Sequence, residues 1–287
     1  MKNKFKNPID RNNLLAEFLG WQLGDGCISI KGARYQFFLT GDLVEEYTFY
    51  KDIIVPAFNK LFNDKLKSSV ILRTYPSVGV CGIYINNKEF VNYLQNELKL
   101  MAGKKIHVQV PKFENMDQMK SFLRGLFDTD GSIYFCRSNS KTKRPSLYNT
   151  LHYKPKIKLA TISKELITGV YEMLGHLGFS PRMYNPRKQR SNEHMMYAVV
   201  LDKTVDVKRW IEEIGFRSIK HSSKIAIWKK YGFVPPKTTL QERLNVLEEK
   251  INPLNYYPNL STDYSLEFIS SYFCKKYNLK SLPQHHF

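Results

Sequence analysis

Two aspartates, Asp25 and Asp130, stand in matching local settings 105 residues apart. Each closes an apolar, helix-like run and is followed by glycine and a strand-like run: LLAEFLGWQLGDGCISI over 14–30 and SFLRGLFDTDGSIYF over 121–135. A carboxylate at a helix C-terminus meets the negative end of the macrodipole. Asp-Gly after a helix is also an ordinary turn, and one copy would need no other explanation. Two copies in register, each before an equivalent strand, ask for more than turn chemistry. If the two helices pack together their carboxylates converge, repel, and one pKa rises. A hard cation with oxygen ligands, Mg²⁺ above all, removes that repulsion. With scissile phosphates as further ligands, such a site activates water and stabilises a leaving oxygen. Asp128 has Leu23 as its counterpart and is expected to be structural. An EF-hand reading of DTDG fails, because Gly131 comes too early and no glutamate closes the loop.

The elements around the acids must bring them together. Gly20 and Gly24 are four apart, as are Gly125 and Thr129, so each helix presents a small-residue face that lets backbones approach. After the first copy the pattern predicts strands at 27–31 and 34–40 around Lys31-Gly32-Ala33, and a helix at 44–62. A hairpin of SVILRTY and VGVCGIYI joined at Pro76-Ser77 follows, then a helix at 88–100. After the second copy come strands at 132–138 and 154–162 about a polar loop, a helix at 163–178, a hairpin over 180–201 and a helix at 204–214. The expected class is α+β: two pseudosymmetric αββαββα subdomains with antiparallel sheets, the motif helices packed at the central interface. The expected division is an N-terminal subdomain at 1–102, a connector at 103–118, a C-terminal subdomain at 119–237 and an extension of illegible role at 238–287.

Composition limits the partners. Forty-four Lys and Arg against 26 Asp and Glu give the 287-residue chain a net charge of +18, which points to a polyanion, most simply nucleic acid. Cys27, Cys81, Cys136 and Cys274 form no C-x-x-C pair, so neither a disulfide framework nor a zinc knuckle is expected. No 18-residue apolar run exists, and MKNKFKNPIDRNN at the N-terminus lacks the apolar core of a signal peptide. A soluble protein with no membrane partner is expected, cytoplasmic or, if organelle-encoded, in the organellar matrix.

FLGWQLGDG (18–26) and LRGLFDTDG (123–131) resemble two copies of the LAGLIDADG motif, the second close and the first looser at Trp21, Gln22 and Leu23. The chain is similar, over about residues 12–232, to single-chain LAGLIDADG homing endonucleases, especially the archaeal and intein-associated branch. The resemblance implies a monomer whose saddle-shaped sheets lie along the major groove of a long, pseudo-palindromic or asymmetric DNA target. It implies cleavage across the minor groove with short 3′ overhangs. The penultimate motif acids, here Asp25 and Asp130, would bind divalent metal, with Gly24 and Thr129 beside them as further metal-site candidates. Mg²⁺ is the expected cofactor; Mn²⁺ or Ca²⁺ could substitute, Ca²⁺ without cleavage.

The family also places basic side chains near the scissile phosphates, and Lys105 and Lys220 are the catalytic candidates here, with Lys104 next. The intein-type pattern has a lysine three residues before the connector proline, where this chain has Val108. Thr40, Gly41, Asp42, Ala160 and Thr161, at the ends of the second strands, are candidates to line a water pocket. For DNA contact the candidates are Lys31, Arg34, Tyr35, Arg73 and Tyr75 in the first half. In the second they are Arg137, Lys141, Lys143, Arg144, Lys156, Lys158, Arg182, Tyr184, Arg187, Lys188 and Arg190. Residues 137–158 carry seven Lys or Arg and no acid; a charge run alone is commonly a solvated face, but hairpin placement and the interleaved Tyr148 and Tyr153 favour groove contact.

The leading expectation is a Mg²⁺-dependent, site-specific double-strand DNA endonuclease. The alternative is a group I intron maturase holding RNA, or a non-cleaving DNA-binding protein on the same scaffold. A phosphatase or nucleotide enzyme lacks support, since no Gly-rich phosphate loop or His/Asp cluster is present. A start at Met1 and an end in QHHF lead us to expect a free-standing or intron-encoded protein over an intein.

Overall fold

The computed structural model describes residues 10–138, 146–187, 194–260 and 264–279. Its centre is a pair of helices, α1 (Arg11–Gly24) and α5 (Met116–Thr129). Each begins at a short polar side chain that accepts an otherwise orphaned N–H: Asp10 from Asn12 and Asn115 from Gln118. Most of the last three turns of both is buried, as expected of helices facing each other across a core. A Cβ on Gly20 would lie 2.3 Å from the Phe122 carbonyl oxygen, and one on Gly125 would lie 2.2 Å from that of Glu17. Only glycine permits backbones this close. Beside the contact, buried Glu17 of α1 accepts from Arg124 of α5 at 2.8 Å and from Arg217 at 3.2 Å, so its charge has two partners.

Each helix feeds a four-stranded antiparallel sheet. The first contains β1 (Gly26–Lys31), β2 (Arg34–Asp42), β3 (Arg73–Tyr75) and β4 (Val80–Asn86), in the order β1-β2-β4-β3. The second contains β5 (Gly131–Cys136), β6 (Lys154–Thr161), β7 (Arg182–Arg187) and β8 (Met196–Leu201), in the order β5-β6-β8-β7. The identical order makes the two halves pseudosymmetric. Strand alternation turns one face of each sheet to helices. In chain order the first half has α2 (Tyr47–Phe49), α3 (Val55–Leu66) and α4 (Lys88–Asn96), and the second has α6 (Leu147–Thr150), α7 (Lys164–His176) and α8 (Thr204–Glu213); α4 packs on β2, α7 on β6 and β8, and α8 on β6. The first core is aromatic: Phe18 and Phe62 ring centroids are 4.8 Å apart, Phe37 and Phe58 5.7 Å, and Phe62 and Phe90 5.4 Å.

Several elements differ from expectation for local reasons. The helix foreseen at 44–62 starts only at Tyr47, because the Asp42 carboxylate holds the Val44 and Glu45 N–H groups, each at 2.8 Å, in a turn. It then passes through a π-helical turn, Tyr50–Ile54, and runs on to Leu66. The strand foreseen over SVILRTY shrinks to Arg73–Tyr75 at the sheet edge. The helix foreseen to residue 100 stops at Asn96. A helical turn, α6, stands in the stretch read as polar loop.

After α8 the chain forms a further helix, α9 (Ile219–Tyr231), where sequence marks only basic residues. The extension folds back on it as α10 (Leu240–Leu247), shorter than the helix foreseen at 238–251, and α11 (Leu266–Tyr277). Tyr153, expected to interleave with the basic arm, is buried with its ring 4.8 Å from Phe273 of α11; Tyr148 lies 5.9 Å from the same ring. These tyrosines anchor the extension. Among the described residues no helix is long and apolar enough to cross a membrane.

Candidate functional site

Asp25 and Asp130 are the residues that end α1 and α5, each with its own N–H donated back to the helix, to Trp21 and Leu126 respectively. The helices abut up to these positions, since a Cβ on Gly24 would lie 2.0 Å from Thr129 Oγ1. Burial first, then the nearby charges of Glu46 and Asp130, push the Asp25 carboxyl up from 3.8 to about 7. A hydrogen bond from Tyr50 Oη to Asp25 Oδ2, 3.0 Å, and the Lys220 charge act against that rise. Asp130 is also raised, mainly by burial; Lys105 and Lys220 oppose the shift and Glu46 adds to it.

Both candidate lysines reach this place by different routes. Lys105 Nζ donates to the carbonyls of Gln22 at 3.1 Å and Leu23 at 2.8 Å, and to that of Gly24, so its ammonium closes the negative end of α1. Burial lowers its pKa while Asp130 and Asp25 hold it up. Val108 is buried and its carbonyl accepts the Ser163 hydroxyl at 2.9 Å, so the connector turns Lys105, not residue 108, to the helix ends. Lys104 is exposed. Lys220, on α9, pairs with Glu46 Oε1 at 3.1 Å. Asp128 faces away from the pair: fully buried, it accepts the N–H groups of Arg217 and Ser218 at 3.0–3.1 Å and so fixes the start of the helix that carries Lys220.

Sequence reading missed Glu46 and Tyr50. Glu46 is buried, and its Oε2 also accepts the Asp42 N–H at 2.8 Å. Tyr50 opens the π-helical turn, a distortion frequent at functional sites, and the turn directs its hydroxyl to Asp25. Gly41 is enforced by both, since a Cβ there would meet the Tyr50 ring at 2.5 Å and Glu46 Oε2 at 2.6 Å. Neither has a local signature in the sequence: the π turn and the burial of Glu46 both lie within the stretch expected to be one helix at 44–62.

The donor set suits a hard cation. Two carboxylates share a crowded, partly dehydrated place with a third acid nearby, and their mutual repulsion is what such an ion relieves. Among the described residues no group of three or more His, Cys, Asp or Glu is arranged to hold a metal. Glu46 is taken up by Lys220. The Gly24 carbonyl accepts from Lys105, and Thr129 Oγ1 donates to the Gly125 and Leu126 carbonyls at 3.1 Å.

The sheet faces away from the helices form two basic surfaces. In the first half, strand parity puts Lys31, Arg34, Phe38, Tyr84, Arg73 and Tyr75 on that face, the Tyr75 and Tyr84 rings 4.8 Å apart. Tyr35 has the parity of buried Phe37 and lies on the helix side, where Lys88 sits 5.4 Å over its ring. In the second half Lys154, Lys156 and Lys158 alternate along β6 opposite Cys136, Tyr134 and Ser132, with Arg182 and Tyr184 on β7. Lys154 and Tyr134 are additions that the register makes plain. Arg137 is exposed just beyond β5, Arg187 ends β7, and Arg182 pairs with Asp202 at 3.0 Å. Ala160 and Thr161 end β6 against Ala198 and Tyr197. Lys141, Lys143, Arg144, Lys188 and Arg190 lie outside the described residues.

Residues 117–215 match the family described as the LAGLIDADG-like domain. The same strand order and central helix recur in the first half, outside the matched residues, an arrangement consistent with a two-motif LAGLIDADG protein. In sequence it is 27% identical over 221 residues to the replication factor C small subunit of Methanocaldococcus jannaschii, a match covering 76% of this chain and 10% of that protein. The chain therefore spans about a tenth of the length of the curated relative it matches. Among solved structures, mesophilic variants of the homing endonuclease I-DmoI align with 18% identity and a TM-score of 0.49, over 71% of this chain and 96% of theirs. A single-site mutant of I-SmaMI aligns with 11% identity and a TM-score of 0.46, over 86% and 97%. The N-terminal LAGLIDADG domain of DUF199/WhiA aligns with 14% identity and a TM-score of 0.40, over 73% and 85%.

Proposed function

We propose that the chain is a site-specific, divalent-metal-dependent double-strand DNA endonuclease that works as a pseudosymmetric monomer. The observation that carries this reading is the convergence of Asp25 and Asp130 at the ends of two touching helices, each raising the need for a cation. Asp25 and Asp130 would hold Mg²⁺ between them. Once bound, such an ion supplies an activated water and stabilises the leaving oxygen. Tyr50 holds Asp25 through Oδ2, fixing the direction of the carboxylate. Glu46 holds Lys220 beside the acids, where its ammonium offsets charge developing on a phosphate. Lys105 neutralises the end of α1, where a phosphate would otherwise meet three bare carbonyls. The basic sheet faces supply phosphate contacts and side chains for base edges in the major groove.

The test is cleavage of duplexes from a randomised library at fixed salt, with Mg²⁺, with Ca²⁺ and with EDTA. Cutting is expected with Mg²⁺ alone, and Asp25→Asn and Asp130→Asn should abolish it while binding persists. Undiminished cutting by either variant would falsify the catalytic assignment. Tight binding of duplex or intron RNA, with no cutting by the wild type under any metal, would replace the nuclease reading with a binder.

A further inference from the structure

Arg243 belongs to the extension, outside the repeated halves, yet it is 1% exposed, and its side chain bonds to the first half, to α9 and to the turn that precedes α10. Its Nη2 meets Glu45 Oε2 at 2.5 Å, its Nε donates to Ser223 Oγ at 2.9 Å, and its Nη1 donates to the Thr238 carbonyl at 2.5 Å. The Leu240 N–H, at the start of α10, donates to the other oxygen of Glu45 at 2.7 Å. Glu45 precedes Glu46 in the first half, and Ser223 lies one helical turn after Lys220 in the second. Glu46 and Lys220 are themselves paired at 3.1 Å.

We infer that the C-terminal extension, through Arg243, is a positioning device that clamps Glu45 to Ser223 and thereby sets the direction of Lys220 at the acids. Residues three apart on a helix share a face, so fixing Ser223 fixes the rotation of α9 about its axis and with it the reach of Lys220. The guanidinium suits this task because its donors are spread over a rigid plane and reach three separated acceptors in fixed directions, whereas an ammonium gathers its donors on one rotatable point. Opposite charge is balanced locally: Lys220, Lys224 and Arg243 crowd together, and burial with Arg243 and Lys220 nearby lowers the Lys224 amine to about 8. Glu45 and Glu46 answer that excess from the first half. The extension thus ties together two elements that belong to different halves, at the point where both contribute to one site.

The consequence for cleavage rests on the nuclease reading above, so the experiment reads the clamp twice. Arg243→Lys, Arg243→Met and Glu45→Gln are compared with wild type for single-turnover cleavage at saturating duplex, for duplex affinity, and for the acylation rate of individual lysines by mass spectrometry. We expect cleavage to fall at least tenfold with affinity changed less than twofold. We expect Lys220 to acylate at least fivefold faster while Lys105 and exposed Lys164 keep their wild-type rates. General loosening would instead raise Lys105 together with Lys220 and would overturn the proposal, as would wild-type cleavage and unchanged Lys220 reactivity in folded Arg243→Lys and Glu45→Gln. If Arg243→Met does not fold, the two milder variants decide. If the wild type cuts no duplex, the nuclease reading fails, while the acylation pattern still supports or overturns the clamp.

Discussion

Replacing Asp25 with asparagine should stabilise the metal-free protein, although it removes a proposed catalytic group. In the unfolded chain this carboxyl releases its proton near about 3.9. In the fold it does so near about 7, because burial and the charges of Glu46 and Asp130 oppose the anion. A raised folded-state value means that the group's contribution is fully present below the unfolded pKa and is lost as pH rises through the folded one. The interval from 3.8 to about 7 corresponds to at most about 4 kcal/mol above neutrality. Asp25 keeps some contact with solvent, whose screening reduces the figure to about 1–3 kcal/mol. Asparagine retains the acceptor for Tyr50 and carries no charge. Urea unfolding in EDTA should therefore show Asp25→Asn more stable than wild type at pH 8 by about that amount, with the gap closing toward pH 4. Mg²⁺ should raise wild-type stability and not that of the variant. Equal or lower stability of the variant at pH 8 in EDTA, with the slope unchanged, would refute the picture of a charge-strained pair.

Gly20→Ala should destabilise by about 1–3 kcal/mol or more, since its new methyl meets backbone at 2.3 Å, whereas Gly175→Ala on α7, with nothing within 4 Å, should stabilise by about 0.5–1 kcal/mol; urea midpoints measure both. Lys105→Met should cost about 1 kcal/mol in the same assay by uncovering the end of α1, and should slow cleavage at least tenfold. Lys156→Ala and Lys158→Ala should each weaken duplex binding nearly uniformly across sequences and lower the salt slope by about 1, as read from affinity against salt concentration.

The acids were legible because their signals are local and repeated. An apolar run, small residues four apart, then Asp-Gly and a strand can be seen in Gly20–Asp25 and again in Gly125–Asp130 without knowing what they touch. The αββαββα succession of both halves was legible from the same repetition, while the order of strands within each sheet came only with the structure. What escaped depends on contacts across the chain. Tyr50 reaches Asp25 only because of a π turn, and Glu46 becomes a site residue only when α9 brings Lys220 to it. Glu17 lies in the first motif helix, but its burial between Arg124 and Arg217 depends on both halves at once. The extension was opaque for the same reason, since Arg243 has meaning only beside Glu45 and Ser223.

The backbone contact at Gly20 and Gly125 acts as a gauge. Where side chains separate two helices, a substitution can move them; here main chain rests on main chain, and the spacing at the helix ends is set by atoms that no substitution elsewhere replaces. Lys31, Arg73, Lys156 and Arg182 stand on sheet faces turned away from that contact. Under the nuclease reading proposed above, their identities are free to drift from one target to another while the separation of Asp25 and Asp130 stays where the glycines put it.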